Sequence, residues 1–183
     1  MRCLLVVFVA ILLAAAGLIR VDSPAEATGG GYASRCGGGK IFLFATEMRL
    51  LTLHNNARKN HGLKPFCVHP ALQEAARAHS KDMVEHDYYA HTTKGKNESP
   101  CARIHRFGYR SSYCAENIGY NPTPEGVFLS WMRSSIHRRN ILDERFHEIG
   151  IGSCTGDYSV SKTTMYTVDF GALADQRREL SKY

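Results

Sequence analysis

Three side chains of this sequence have types suited to joint chemistry: His91, Glu116 and His137. His91 closes the polar run Tyr88-Tyr-Ala-His91. Glu116 lies in Cys114-Ala-Glu-Asn-Ile-Gly-Tyr120, and His137 in Ser135-Ile-His-Arg-Arg-Asn-Ile-Leu142, shortly after Trp131. Two imidazole nitrogens and a carboxylate oxygen can hold a divalent cation such as zinc and leave one coordination position open. The same carboxylate and imidazoles can instead exchange a proton in general acid–base work. Nine histidines make chance pairings common, so spacing alone does not choose between these readings and a structural one. The sequence has no His-Glu-x-x-His pair, no Gly-x-Ser-x-Gly elbow and no phosphate-cradling glycine loop. Ser134 and Ser135 stand close to His137. A hydrolase using Ser134, His137 and Glu116 is therefore the enzymatic alternative, while helix capping is the simpler role for the serines.

The elements that must position these residues follow from periodicity. Leu43, Glu47, Leu50, Leu51, His54 and Ala57 share one helical face in a helix expected from Ile41 to His61-Gly62. Leu63 to Phe66 reads as an extended link, because residues before proline avoid the helical region. Pro70 opens a second helix with a narrow stripe of Leu72, Ala75, Ala76, His79 and Met83, whose alanines imply close approach to a neighbour. Here His79 is expected to be a satisfied core imidazole. Asp87 to Asn97 reads as a loop. Ser99-Pro100 starts a short helix through Arg106, and Thr123-Pro124-Glu125 starts another that buries Val127, Phe128 and Trp131. Ser135 is expected to cap a further helix to Leu142. Strands are expected over Ala115–Tyr120, Ile149–Ser153 and Thr163–Phe170. In the last of these, Tyr166, Val168 and Phe170 take one face and Met165, Thr167 and Asp169 the other. Asp169 either pairs with a cation or faces water. Helices precede most of the strands, which points to an α+β layered sandwich around a small, mainly antiparallel sheet.

Composition bounds the setting. The 183 residues suffice for one domain with a real core. Arg2, the apolar run Cys3–Ile19 and Ala25-Glu26-Ala27 read as a secretory signal peptide over residues 1–27, or as a membrane anchor if it stays uncut. Residues 28–44 form a Gly-rich arm expected to be flexible, and residues 173–183 a charged tail. Arg2 and Arg20 offset Asp22 and Glu26, so the exported part keeps the whole net charge of +6. That charge favours anionic membrane surfaces or cell-envelope polymers. No nucleic-acid motif is present, and no nucleic-acid partner is expected. Five cysteines remain beyond Cys3. Export favours disulfides. A local Cys101–Cys114 loop, a Cys36–Cys67 tie of the arm and a leftover Cys154 thiol form the simplest account, although spacing alone leaves the pairing open.

The ordered motifs do more. His54-Asn55-x-x-Arg58, Gly62-Leu-x-Pro65, Ala71-Leu72…His79-Ser80…Met83 and Tyr88-Tyr-x-His91 resemble the first half of the CAP superfamily of cysteine-rich secretory, antigen 5 and pathogenesis-related class 1 proteins. Gly108-Tyr109…Ala115-Glu-Asn-Ile-Gly119, Trp131-Met132, His137-Arg-x-Asn-Ile-Leu142, Glu148-Ile-Gly-Ile-Gly152 and Tyr166-x-Val-Asp-Phe170 resemble its second half, in the bacterial style. The resemblance implies a three-layer α-β-α sandwich with a central cleft, here over residues 45–172. It also implies a cleft of two histidines and two acids. By motif these are His91, Glu116 and His137, with Ser134 standing where the second acid belongs. Members are described as sterol or fatty-acid binders, as defence or virulence exoproteins and occasionally as proteases. The expectation is a secreted protein that binds a small lipid, sterol-like or envelope ligand rather than turning it over, with zinc held by His91, His137 and Glu116. The alternatives are a metal- or serine-dependent hydrolase and a disulfide-stapled interaction module.

Overall fold

The computed structural model describes residues 29–111, 113–159 and 161–172. The expected leader (1–27) and charged tail (173–183) lie outside the described residues. The chain runs β1 (Gly30–Ser34), β2 (Lys40–Phe44), α1 (Ala45–Asn60), β3 (Cys67–Val68), α2 (Pro70–Glu85) and α3 (Pro100–Arg106). It continues through β4 (Cys114–Asn121), α4 (Pro124–Arg133), α5 (Ser135–Leu142), β5 (Glu148–Tyr158) and β6 (Ser161–Gly171). Strands β3-β5-β6-β4 form the central sheet in that order, antiparallel except where β3 meets β5.

Alternation along β6 decides the layering. Tyr166, Val168 and Phe170 join Ile149 and Ile151 against Leu50 and Leu51 of α1, Phe128 and Trp131 of α4, and Ile141 of α5. On the other face Met165 packs with Met83 of α2 and Ile118 of β4, and Ser80 of α2 hydrogen-bonds Thr167 at 2.9 Å. Residues 164–171 are therefore buried without interruption, the mark of a sheet covered on both sides. A Cβ on Gly150 or Gly152 would fall 2.1 Å from the backbone of Leu72 or 2.2 Å from that of Ala76. The glycines and the alanine stripe are thus one feature, which lets α2 lie directly on β5. The fold is the expected α-β-α sandwich.

Four expectations need correction. The Gly-rich arm is not a loose segment: β1 and β2 pair as an antiparallel hairpin with Tyr32 opposite Phe42. Gly37, Gly38 and Gly39, all with positive φ, make its turn, and the Cys36–Cys67 disulfide ties it to β3. Helix α1 consequently starts at Ala45, not Ile41, and Leu43 is a strand residue. The Glu47 carboxylate accepts the Phe44 N–H at 3.0 Å and stops the helix from extending backwards. The second bridge joins Cys101 to Cys114. Cys154 is not a leftover thiol, because it too is disulfide-bonded. Finally, Ser134 rather than Ser135 is the N-cap of α5, and it makes no side-chain cap bond.

Candidate binding cleft at the sheet edge

Strand β4 is the edge of the central sheet, and its Glu116 and Asn117 point to opposite faces because side chains alternate along a strand. On one face the Glu116 Oε1 accepts the Nδ1–H of His91 at 2.6 Å; a carboxylate only accepts, which assigns the proton to Nδ1. On the other face the Asn117 amide donates to the carbonyl of His137 at 3.1 Å. Asn140 of α5 donates to Asn117 at 2.8 Å and to the Glu116 carbonyl at 3.4 Å. Two consecutive residues thus anchor the two histidines, one from the loop after α2 and one from α5. The outward backbone of β4 is covered as well: the Ile118 carbonyl accepts from Trp131 Nε1 at 2.9 Å and from the Tyr89 hydroxyl at 3.1 Å.

Behind Glu116 lies a buried charged cluster. Arg103 of α3, 1% exposed, donates from Nη2 to Glu116 Oε2 and from Nη1 to the His91 carbonyl and the Thr93 hydroxyl, both at 3.1 Å. It therefore fixes both the carboxylate and the loop carrying His91. His79 donates from Nε2 to the Ala90 carbonyl at 2.9 Å and steadies the same loop; its buried Nδ1 has no partner among the described residues, so only half of the ring is satisfied. Burial lowers the His79 pKa, opposed by the charge of Glu116 and reinforced by that of Arg103.

Asp169 faces the same cluster. It stands directly opposite Glu116 in the β4–β6 register, and its carboxyl is fully buried. Because the outward carbonyls of Glu116 and Ile118 accept from side chains, this is a non-hydrogen-bonded pair, the type with the closest side-chain approach. Among the described residues, no N–H or O–H donor reaches either Asp169 oxygen. The neighbouring Glu116 is itself an acceptor, so the two carboxyls can bond only through a shared proton. Burial first and the Glu116 charge second push the Asp169 pKa well above the carboxylate range, against the pull of Arg103.

His137 is half-buried, and desolvation followed by the charge of His91 lowers its pKa. The His137 ring therefore feels the charge of His91. Among the described residues, Cys36, Cys67 and Glu148 are the group whose donor atoms all lie within 4.8 Å, but both sulfurs are bound to each other in a disulfide. His91, Glu116 and His137 are spread more widely. Trp131 is a core anchor, 2% exposed. Arg103 escaped the sequence reading, although each member of the Arg103–Glu116 pair lies two residues beyond a cysteine of the Cys101–Cys114 bridge. That spacing was the available signal.

The fold and cleft define an α-β-α sandwich whose polar site straddles an edge strand. Residues 51–170 match the profile of the CAP family, the cysteine-rich secretory protein family. The chain belongs to this family. It is 38% identical over 109 residues to the uncharacterized protein YkwD of Bacillus subtilis (strain 168), an alignment covering 59% of this chain and 42% of YkwD. The chain thus spans less than half the length of that relative. Among solved structures, an extracellular protein containing a SCP domain from Bacillus anthracis str. Ames has a TM-score of 0.59 at 22% identity, covering 74% of this chain and 47% of that one. An outer surface protein from Borrelia burgdorferi has a TM-score of 0.60 at 19% identity, covering 70% of this chain and 93% of that one. At these identities the two structures establish the shared fold.

Proposed function

We propose that this protein is an exported CAP-domain binder that captures a small lipid, sterol-like or cell-envelope ligand in the cleft at β4, with His91 and His137 presenting a divalent metal such as zinc. The observation that carries this reading is the contact of His91 Nδ1 with Glu116 at 2.6 Å, with Arg103 on the second carboxylate oxygen. A carboxylate behind one ring nitrogen fixes the tautomer and leaves the other nitrogen, Nε2, as the metal donor. In this arrangement Glu116 orients His91 from behind, because both its oxygens are already engaged. His137 supplies the second nitrogen, and its lowered pKa keeps the ring in the neutral form that ligation requires. The metal, when bound, supplies a Lewis acid that attracts a carboxylate, phosphate or hydroxyl of the ligand.

Binding is favoured over turnover because no described serine, threonine or cysteine side chain is hydrogen-bonded to the ring of His91 or His137. Export is supported by the sequence of the leader and by the disulfides. Native mass spectrometry of the exported protein tests the reading. A zinc adduct and a copurifying envelope molecule are expected, both lost in His91→Ala/His137→Ala. A bare mass that zinc does not change, or an adduct indifferent to both substitutions, would rule the metal cleft out. Peptide or ester turnover that disappears in Glu116→Gln would replace binding by hydrolysis.

A further inference from the structure

The hairpin of β1 and β2 shows the solvent a row of aromatic rings. Its inward residues, Ala33 and Leu43, are 7% and 0% exposed, whereas its outward aromatics Tyr32, Phe42 and Phe44 are 69%, 42% and 53% exposed. These rings form one row, with Tyr32–Phe42 and Phe42–Phe44 centroids each 5.7 Å apart in edge-to-face contact. The Phe42 ring lies over Gly30, where a Cβ would come within 2.3 Å of it. The row is held in place by the Cys36–Cys67 bridge and by Arg77, whose guanidinium lies 4.9 Å from the Phe44 ring centroid. This is a rigid, preorganised apolar surface rather than a set of loose side chains.

Charge and chain position indicate what covers it. Residues 28–46 contain Arg35 and Lys40 and no acidic residue, and both cations are exposed. Aromatic rings beside basic groups match the interfacial zone of a bilayer, where rings sit at headgroup level and cations meet anionic lipid. The apolar run Cys3–Ile19 ends ten residues before β1, a span of at most about 36 Å when fully extended. The hairpin therefore lies close in sequence to a run that reads as a secretory leader or membrane anchor. Three half-exposed rings offer roughly 300 Å², far less than the roughly 800 Å² per partner of a stable protein interface. That area suits partial insertion into a lipid surface better than a dimer.

We propose that the outward face of the β1–β2 hairpin is a docking surface for an anionic membrane, separate from the β4 cleft. The test replaces Phe42 with tryptophan, an exposed reporter in a chain whose single tryptophan, Trp131, is buried. The exported protein is mixed with vesicles of phosphatidylglycerol and phosphatidylcholine. The new indole is expected to shift its emission to the blue and to be quenched by brominated acyl chains. Adding Tyr32→Ser, Phe44→Ser and Lys40→Glu should weaken partitioning about tenfold or more, with an unchanged melting temperature because all three positions are exposed. A chain that keeps its leader, reconstituted in the same vesicles, gives the same reading: the indole is quenched, or it stays in water and the proposal falls. Partitioning indifferent to the three substitutions overturns it. So does a concentration-dependent dimer that they abolish, which would reassign the face to a second copy of the chain.

Discussion

Arg58 and Arg103 are each 1% exposed and lie on opposite sides of the central sheet. Arg58, on the α1 side, donates only to backbone carbonyls: Lys64 at 2.7 Å, Ile141 and Asp143 at 3.0 Å each, and Phe146 at 2.9 Å. Its ring neighbour is Phe66, 3.9 Å from guanidinium carbon to centroid. Burial brings its pKa down to about 10. Arg103, on the α2–α3 side, meets the Glu116 carboxylate and the loop of His91, and its Nε has no partner among the described residues. The first arginine is a staple that joins two loops to α1. The second belongs to a cluster that also holds an unpartnered Asp169 carboxyl and an unpartnered His79 nitrogen. The arginine on the α1 side is satisfied by backbone, although the buried Nε2 of His54 on that side has no partner among the described residues, and the arginine on the other side sits in a cluster of charged and titratable groups set against each other. His91 and Glu116 of the candidate site belong to that cluster.

The largest effect should come from the staple. Arg58→Met strips four carbonyls of their donor and should cost about 3–5 kcal/mol in urea denaturation, while zinc binding by the refolded protein stays unchanged. Glu116→Ala leaves the Arg103 charge buried alone and should cost about 3 kcal/mol. Because that penalty lies in an orphaned charge, the Glu116→Ala/Arg103→Met double variant should recover part of it. Arg58 has no single partner whose removal would rescue it. If the double variant is no better than the sum of its singles, the two arginines are not different in kind.

Acid sharpens the comparison. His54, buried among Phe128, Trp131 and Phe170, donates from Nδ1 to the Leu50 carbonyl, and burial lowers its pKa to about 4. The unfolded ring titrates near 6.5, so between pH 6.5 and 4 the unfolded chain binds the extra proton. This contribution is complete above pH 6.5 and is lost as pH falls through that window, by about 3 kcal/mol in all. His54→Phe should flatten that part of the stability–pH curve. Asp169 behaves in the opposite sense. Its folded pKa lies above the unfolded value, so stability falls as pH rises between the two. Asp169→Asn should therefore raise the melting point at pH 7, with the gain vanishing below about pH 4, where the unfolded carboxyl is protonated too. A gain that persists in acid would show that the residue is strained rather than awkwardly charged.

Much of the scaffold was legible because local rules and global packing agree. Pro70, Pro100 and Pro124 each start a helix as expected. The faces of β6 divide as alternation predicts, and Gly150 and Gly152 mark the contact with α2. The His54-Asn55-x-x-Arg58 motif forms a structural network, with Asn55 exchanging hydrogen bonds with the backbone of Phe66. The hairpin was missed because three consecutive glycines look flexible one residue at a time, and only pairing with a partner strand turns them into a rigid turn.

By itself, the sequence determined the helix starts, the two-sided burial of the sheet and the residue types available to the cleft, because each depends on neighbours at most a few positions away. Tertiary structure alone decided that Glu116 would stand between Arg103 and His91, opposite Asp169. It likewise decided that Asn117 would hold α5, and that Tyr32, Phe42 and Phe44 would share one outward face. The physical reason is the same in each case. The energy of a buried charge, and the exposure of a ring, depend on what is brought alongside from distant parts of the chain, and register and layer order are settled only when the sheet assembles.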